Sequence, residues 1–218
     1  DLLTGKLPIP KRSVSYAASF GVNEIPDDKK ADFSKAIGNL EAISVREEQG
    51  LNICRELGFK DGRVNIDPTF LLSKSEWIKV IRKPNKQLPS RYVVTYFLGN
   101  IEKNVDNKIE NYCRANNLER IDLNSVTALK WFDITPFEFL YLIKNATFVF
   151  TDSFHASVFS IIFGKNFLTA ERTTKNSNKM SSRIDTLFSI FSCENHRMIA
   201  FDGNIDNLKM DEVKVESI

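Results

Sequence analysis

With 218 residues, 42% of them hydrophobic and 27% charged, the chain can bury one large core or two smaller ones and has an ordinary globular composition. A net charge of +2 gives no electrostatic case for a nucleic-acid partner. Three widely spaced cysteines, Cys54, Cys113 and Cys193, form no CxxC pair, which argues against a disulfide framework or a zinc site and fits a reducing compartment. No apolar run approaches the roughly 18 residues of a membrane span. No signal peptide opens the chain, and a start at Asp1 rather than Met points to an upstream segment outside this sequence.

After a Pro-containing lead-in, Arg12 to Ser19 alternates like a strand and runs into the turn signal Phe20-Gly21. Asp27 or Asp28 can cap a helix whose Phe33, Ile37 and Leu40 follow helical spacing. Ala42 to Val45 reads as a short strand, and a helix carrying Leu51, Cys54 and Leu57 stops at Gly58. Val64 and Ile66 read as another short strand before Asp67-Pro68. This is the strand–helix–strand rhythm of a parallel α/β sheet. Ser73 to Glu76 fits a capping box for a helix with Trp77, Ile78 and Ile81 on its apolar face.

The run Lys83 to Leu88 with Pro89 has linker composition, so the expected organisation is a first domain over 1–82, a linker at 83–90, a second domain over 91–201 and a tail over 202–218. The second domain opens with a strand from Arg91 to Leu98. A helix marked by Val105, Ile109 and Tyr112 follows, then a strand from Ile121 to Leu123. Thr135-Pro136-Phe137-Glu138 is a helix start with Thr at the N-cap, Pro at N1 and Glu at N3. Thr147 to Phe150 is apolar on both faces, as a central parallel strand should be. The polar elbow Thr151 to His155 follows, then a helix stopped by Gly164 and a strand at Phe167-Leu168. A polar loop from Glu171 to Ser182 precedes a helix through Ile184, Leu187 and Phe188 and a strand around Met198 to Phe201.

The elbow is the first candidate site. Ligands of open α/β sheets bind at the carboxyl ends of the strands, and a helix N-terminus adds free N–H donors and a favourable dipole for anions. A lone histidine is most often structural, but His155 lies in a polar run with apolar flanks, where it can exchange a proton near neutral pH. Asp152 or Ser153 can orient it, their plainer role being the helix cap. His196 lacks polar company and reads as surface. Arg46 ends one strand and begins a helix, a good place to hold phosphate or carboxylate; otherwise it pairs with a carboxylate. Ser19 and the turn amides after it can bind an oxyanion or simply make a turn. Arg172, Lys175, Lys179 and Arg183 cluster near the polar loop; only Arg183, opening a helix where a cation opposes the dipole, calls for a compensating anion. No Gly-rich phosphate loop, HExxH or GxSxG occurs.

The runs SYAASFG (15–21), SVREEQG (44–50), DPTFLL (67–72) and KNATFVFTDSFHASVFSIIFGKNF (144–167), with SSRI at 181–184, resemble the polysaccharide pyruvyl transferase family. They occur in the right order and at ordinary spacing. The resemblance implies an α/β fold of two Rossmann-like parallel-sheet domains facing a cleft, GT-B-like. The first domain is expected to be incomplete, because the family's Asn-Tyr-Gly-like and Gly-Ser-Asp-Gln-like N-terminal runs are absent. It also implies transfer of a pyruvyl group from phosphoenolpyruvate to two hydroxyls of a sugar, in a glycan or lipid-linked saccharide acceptor, giving a cyclic ketal and phosphate.

On this reading His155 is the catalytic acid or base and Arg46 and Arg183 supply cations, with Ser153, Asp152 and Ser19 binding substrate. No metal or cofactor is called for beyond phosphoenolpyruvate as donor. The chain departs from some relatives, which carry Arg-Leu-His where Ser153-Phe154-His155 stands; Ala156 replaces a common Gly. The expected setting is cytoplasmic synthesis of a bacterial-type surface polysaccharide (exopolysaccharide or capsule), peripheral to the inner face of the membrane, with no transmembrane segment. Two alternatives remain at this point: a GT-B-type glycosyltransferase using a nucleotide-sugar donor, and a non-catalytic sugar- or phosphate-binding remnant.

Overall fold

A computed structural model describes residues 13–124, 131, 133–172, 181–198 and 205. The elements run β1 (Val14–Ala18), α1 (Asp27–Ile37), β2 (Ala42–Val45), α2 (Glu48–Glu56), β3 (Arg63–Val64), α3 (Lys74–Val80) and β4 (Tyr92–Tyr96). They continue as α4 (Lys103–Ala115), β5 (Glu119–Asp122), α5 (Pro136–Asn145), β6 (Phe148–Thr151), α6 (Phe154–Phe163), β7 (Phe167–Thr169) and α7 (Ser181–Phe191). Short 3-10 turns occupy Pro68–Leu71 and Glu194–His196.

The chain divides into two compact units, Asp1–Leu71 with Asn178–Ile190, and Leu72–Ser177 with Phe191–Ile218. The first contains a parallel sheet ordered β1-β2-β3 among the described residues. Its core gathers Ile37, Ile43, Val45, Leu51 and Cys54 from the strands and the two helices that connect them. The N–H of Glu48 donates to Thr186 Oγ1 at 3.2 Å, which ties α7 to the start of α2 inside this unit.

The second unit contains a parallel sheet ordered β5-β4-β6-β7. All of β6 is buried, as the double-sided apolar pattern of a central strand requires. Because β5 lies on one side of β4 and β6 on the other, strand order reverses between β4 and β6. Their carboxyl ends therefore form a topological switch point. The core here is Val93, Ile109, Phe148, Phe150 and Leu168 with their neighbours.

The segment 83–90, with its linker composition, belongs to this second unit. Arg82 stacks over Phe137 at 5.1 Å, and Lys86 pairs with Asp133 and lies 5.7 Å from the Trp131 ring centre. The α3 helix before it packs the same way, with Trp77 edge-on to Phe159 at 5.1 Å.

Both capping boxes form as the sequence predicts. Ser73 and Thr135 each accept the N3 amide, and Glu76 and Glu138 each accept the N-cap amide. Thr135→Ala is expected to lower stability by about 1 kcal/mol in urea unfolding, the usual worth of such a cap. An unchanged midpoint would contradict it. At α1 the expectation differs from the outcome. The N-cap position is Pro26, with no side-chain cap, and Asp27 and Asp28 occupy the first turn, where they favour the dipole. The third strand is also shorter than expected and ends at Val64. Of the expected strand at 198–201, Met198 donates its N–H to Thr169 at 2.9 Å; residues 199–201 and the tail over 202–218 (Ile205 apart) lie outside the described residues, as does most of the 171–182 loop.

His196 is not a surface residue, contrary to the expectation from its sequence neighbours. It is 2% exposed, and its ring stacks on Phe167 with centroids 4.5 Å apart. Its Nδ1 lies 2.8 Å from the Phe167 carbonyl oxygen, which can only accept, so that nitrogen carries the proton. Burial pushes the imidazole pKa below its usual value, and the bond to the carbonyl opposes this in part. The unfolded chain therefore binds the proton at higher pH than the folded one. Stability from this site is complete above the ordinary value near 6.5 and is lost as pH falls below it. Denaturant unfolding is expected to show a pH 7 to pH 5 loss that shrinks in His196→Asn; an equal loss in the variant would contradict the assignment.

Candidate functional site

The second unit supplies the elbow. Nine of the ten residues of α6 are buried, and the tenth, His155, is exposed. A helix covered on every side thus presents one side chain outward, in its first turn, beside the switch point. The His155 ring stands edge-on to Phe154 at 5.3 Å. Ser153 is the N-cap, its Oγ accepting from the Ala156 N–H at 3.5 Å, while its own N–H donates to Thr151 Oγ1 at 2.9 Å. Thr151 Oγ1 in turn donates to the Tyr96 carbonyl at 2.6 Å. Ser157 donates to the Ser153 carbonyl at 3.1 Å and bonds Thr169 Oγ1 at 2.8 Å. The elbow is thereby locked to the ends of β4, β6 and β7.

Asp152 spans the switch point. One carboxylate oxygen accepts the Leu98 N–H and the other the Gly99 N–H, each at 2.7 Å. Arg172 lies against the same residue. Its Nη2 donates to the Asp152 carbonyl at 3.3 Å, and its Nε is 3.5 Å from Oδ2. The sequence reading takes Ser153 and Asp152 as substrate contacts; their bonds in the structure cap α6 and fix the loop after β4.

The first unit brings Ser19, Arg46 and two unforeseen carboxylates together at the carboxyl edge of its sheet. The register of β1 shifts between Ser15 and Ala18, and Ala17 adopts φ 47°, a left-handed conformation that costs a non-glycine residue about 1–3 kcal/mol. The irregularity presents the Ala17 carbonyl to Arg46, whose Nε donates to it at 3.1 Å. Arg46 Nη1 pairs with Asp67 Oδ2 at 2.6 Å. Asp67 Oδ1 also accepts the Thr69 N–H and hydroxyl at 3.0 and 2.8 Å. Arg46 thus pairs with a distant carboxylate rather than its neighbours Glu47 and Glu48. These contacts use two of its five donors and fix the guanidinium plane.

Glu47, 1% exposed, accepts the Ser19 hydroxyl at 2.9 Å and the Phe20 N–H at 3.1 Å through Oε1. Its Oε2 is buried with no hydrogen-bond partner among the described residues. Burial first, and the Glu47 charge second, push the Cys54 thiol pKa up, so Cys54 is a poor nucleophile. Beside Ser19 a cavity of about 400 Å³, lined by Phe20, Phe33, Ile37, Ile43 and Val45 among others, is too apolar to hold an anion. Arg183, in the first turn of α7, is half-buried and belongs to this unit.

A family model described as polysaccharide pyruvyl transferase matches residues 4–171. The chain belongs to the polysaccharide pyruvyl transferase family. Ser19, Arg46, Asp152, Ser153 and His155 fall within the matched span, while Arg172 and Arg183 lie just beyond it. No curated protein matches the chain. Among solved structures, a protein assigned as a UDP-N-acetylglucosamine 2-epimerase from Listeria monocytogenes matches at 11% identity and a TM-score of 0.49, covering 94% of this chain. The chain spans 66% of that structure's length. For a member of the pyruvyl transferase family, the residues that pattern alone passed over are Glu47, Asp67 and Arg172. Each works through a contact far along the chain, and only the acidic run after Val45 hinted at one of them.

Proposed function

We propose that the chain serves pyruvyl transfer from phosphoenolpyruvate to two hydroxyls of a sugar, in a polysaccharide or its lipid-linked precursor. The observation that carries the reading is His155, the one exposed side chain of an otherwise buried helix at a switch point, within the span matched by the family. The chemistry has definite needs. The enol methylene gains a proton, and the electron-poor carbon is attacked by one hydroxyl. The C–O bond to phosphate then breaks, and a second hydroxyl closes the ketal. Of the two hydroxyl protons, one is balanced by the new methyl group and the other leaves with the phosphate.

His155 gives or takes these protons, since an imidazole holds both forms near neutral pH. Arg46 and Arg183 offer the donor's phosphate and carboxylate charge-assisted bonds with Ser19 in the same unit, and Ser153 and Asp152 shape the elbow around His155 in the other. A GT-B-like framework with an incomplete first domain, and a cytoplasmic setting for surface-polysaccharide synthesis, complete the proposal. Among the described residues no helix is long and apolar enough to cross a membrane.

Calorimetry tests the donor. The chain is expected to bind phosphoenolpyruvate and to show no comparable response to uridine nucleotides. Tight uridine nucleotide binding with no phosphoenolpyruvate response would replace pyruvyl transfer with glycosyl transfer.

A further inference from the structure

We infer that the cavity between β1 and α1 is a binding site for an uncharged hydrocarbon chain, the chain of a lipid-linked acceptor. The inference rests on the pyruvyl-transfer reading only for what the chain is attached to. That a hydrocarbon chain fills the cavity follows from the first unit alone.

The packing of α1 is the starting point. Phe33, Ala36 and Ile37, with Leu40 just past the helix end, stand at i, i+3, i+4 and i+7, the apolar stripe that a helix lays against a sheet. Of the residues of α1 only Ile37 is buried, and Phe33 is 39% exposed. All four residues of the stripe line the cavity instead, together with Ser15 and Ala18 of β1 and Ile43 and Val45 of β2. The stripe and the sheet thus face each other over about 400 Å³ rather than closing on one another. Removing these apolar walls from water is the drive for a ligand to enter.

The lining selects the ligand. Its two hydroxyls spend their protons within the protein, Ser15 donating to the Ser44 carbonyl at 3.4 Å and Ser19 to Glu47 at 2.9 Å. Burial keeps the Cys54 thiol, also in the lining, in its neutral form. The one charged lining residue is Asp32, an exposed carboxylate that repels an anionic chain end. An uncharged hydrocarbon meets all of these conditions. An apolar cavity of about 150 Å³ holds benzene, so this one has room for roughly a dozen carbons of a chain. A single turn of a partner's helix, about 10 Å across, would exhaust the same volume. Ser19 joins the cavity to the sheet edge where the donor is proposed to bind, since it lines the one and bonds Glu47 in the other. A lipid whose tail enters beside Ser19 therefore keeps its polar end at that edge.

The test uses the intact chain and methyl nuclear magnetic resonance. Decanol and geraniol, of equal carbon count, are titrated separately while the Ile37 and Ile43 methyl signals are followed. Both signals are expected to shift, with Ile109 in the core of the second unit unmoved. Tighter geraniol assigns a branched isoprenoid chain, and tighter decanol a straight acyl-type one. Ala36→Leu is expected to weaken binding of either alcohol by roughly ten- to a hundred-fold, since its added carbons displace as many from the ligand. Val80→Ser, at a 40% exposed position on α3, is expected to change nothing. Decanoate is expected to bind more weakly than decanol, and tighter decanoate overturns the inference. Parent-like affinity in folded Ala36→Leu overturns it as well. So do still Ile37 and Ile43 signals in the parent chain with both alcohols, which decides the matter even if the variant fails to fold. Binding of the alcohols that depends on Ala36, with no pyruvate transferred to any lipid-linked acceptor, supports the hydrocarbon site and sinks the acceptor assignment instead.

Discussion

His155→Ala is expected to lower turnover by about 10²–10⁴-fold, the contribution of a positioned acid or base, while the fold survives. The asymmetry follows from the burial pattern of α6. Its other nine residues are packed, and the side chain removed is the one facing out, so no cavity forms in the core. Phosphate release from phosphoenolpyruvate in the presence of acceptor measures the first effect, and thermal melting the second. A variant with parental turnover would remove His155 from the chemistry. A variant that melts far below the parent would mean that the ring is structural.

Arg46→Ala is expected to weaken donor affinity by roughly 1.5–3 kcal/mol, and Arg183→Ala likewise, because each deletes charge-assisted hydrogen bonds to the anion. For Arg46 the structure adds a second cost. Its removal takes the ion pair from Asp67, whose side chain is 3% exposed and is paired at 2.6 Å. Losing one partner of a buried pair costs about 3–5 kcal/mol. The low end of that range applies, since Thr69 still donates two bonds to Oδ1 and the Arg46 side chain is itself 19% exposed. Asp67→Asn added to Arg46→Ala should recover much of the stability and none of the affinity. Calorimetry and urea unfolding on the three variants separate the two roles. Unaltered donor affinity in a folded Arg46→Ala would reduce the arginine to a strut.

Local chemistry made much of this fold legible. The capping boxes at Ser73 and Thr135 and the stop at Gly164, with φ 63°, depend on residues three or four apart, and each forms as read. Double-sided burial of β6 and the polar break after it are equally local, so the elbow and its histidine could be found from pattern alone. The misreadings come from distance. His196 is buried against Phe167, 29 residues earlier, whose ring it stacks on and whose carbonyl accepts its N–H. Asp67 lies 21 positions beyond Arg46 and Arg172 lies 20 beyond Asp152, and no periodicity links either pair. The segment at 83–90 has the composition of a linker, and within it Lys86 meets Asp133 and the Trp131 ring. Glu47 was hidden for another reason, since an acid after a strand usually faces water and this one instead receives the Ser19–Phe20 turn.

The most direct measurement is mass spectrometry of a glycan acceptor incubated with the protein and isotopically labelled phosphoenolpyruvate. The expected result is an acceptor carrying the labelled pyruvate as an acid-labile ketal, with one phosphate released per ketal, and neither product from His155→Ala. Labelled phosphoenolpyruvate left intact by the complete protein across a panel of glycan and lipid-linked acceptors would contradict pyruvyl transfer.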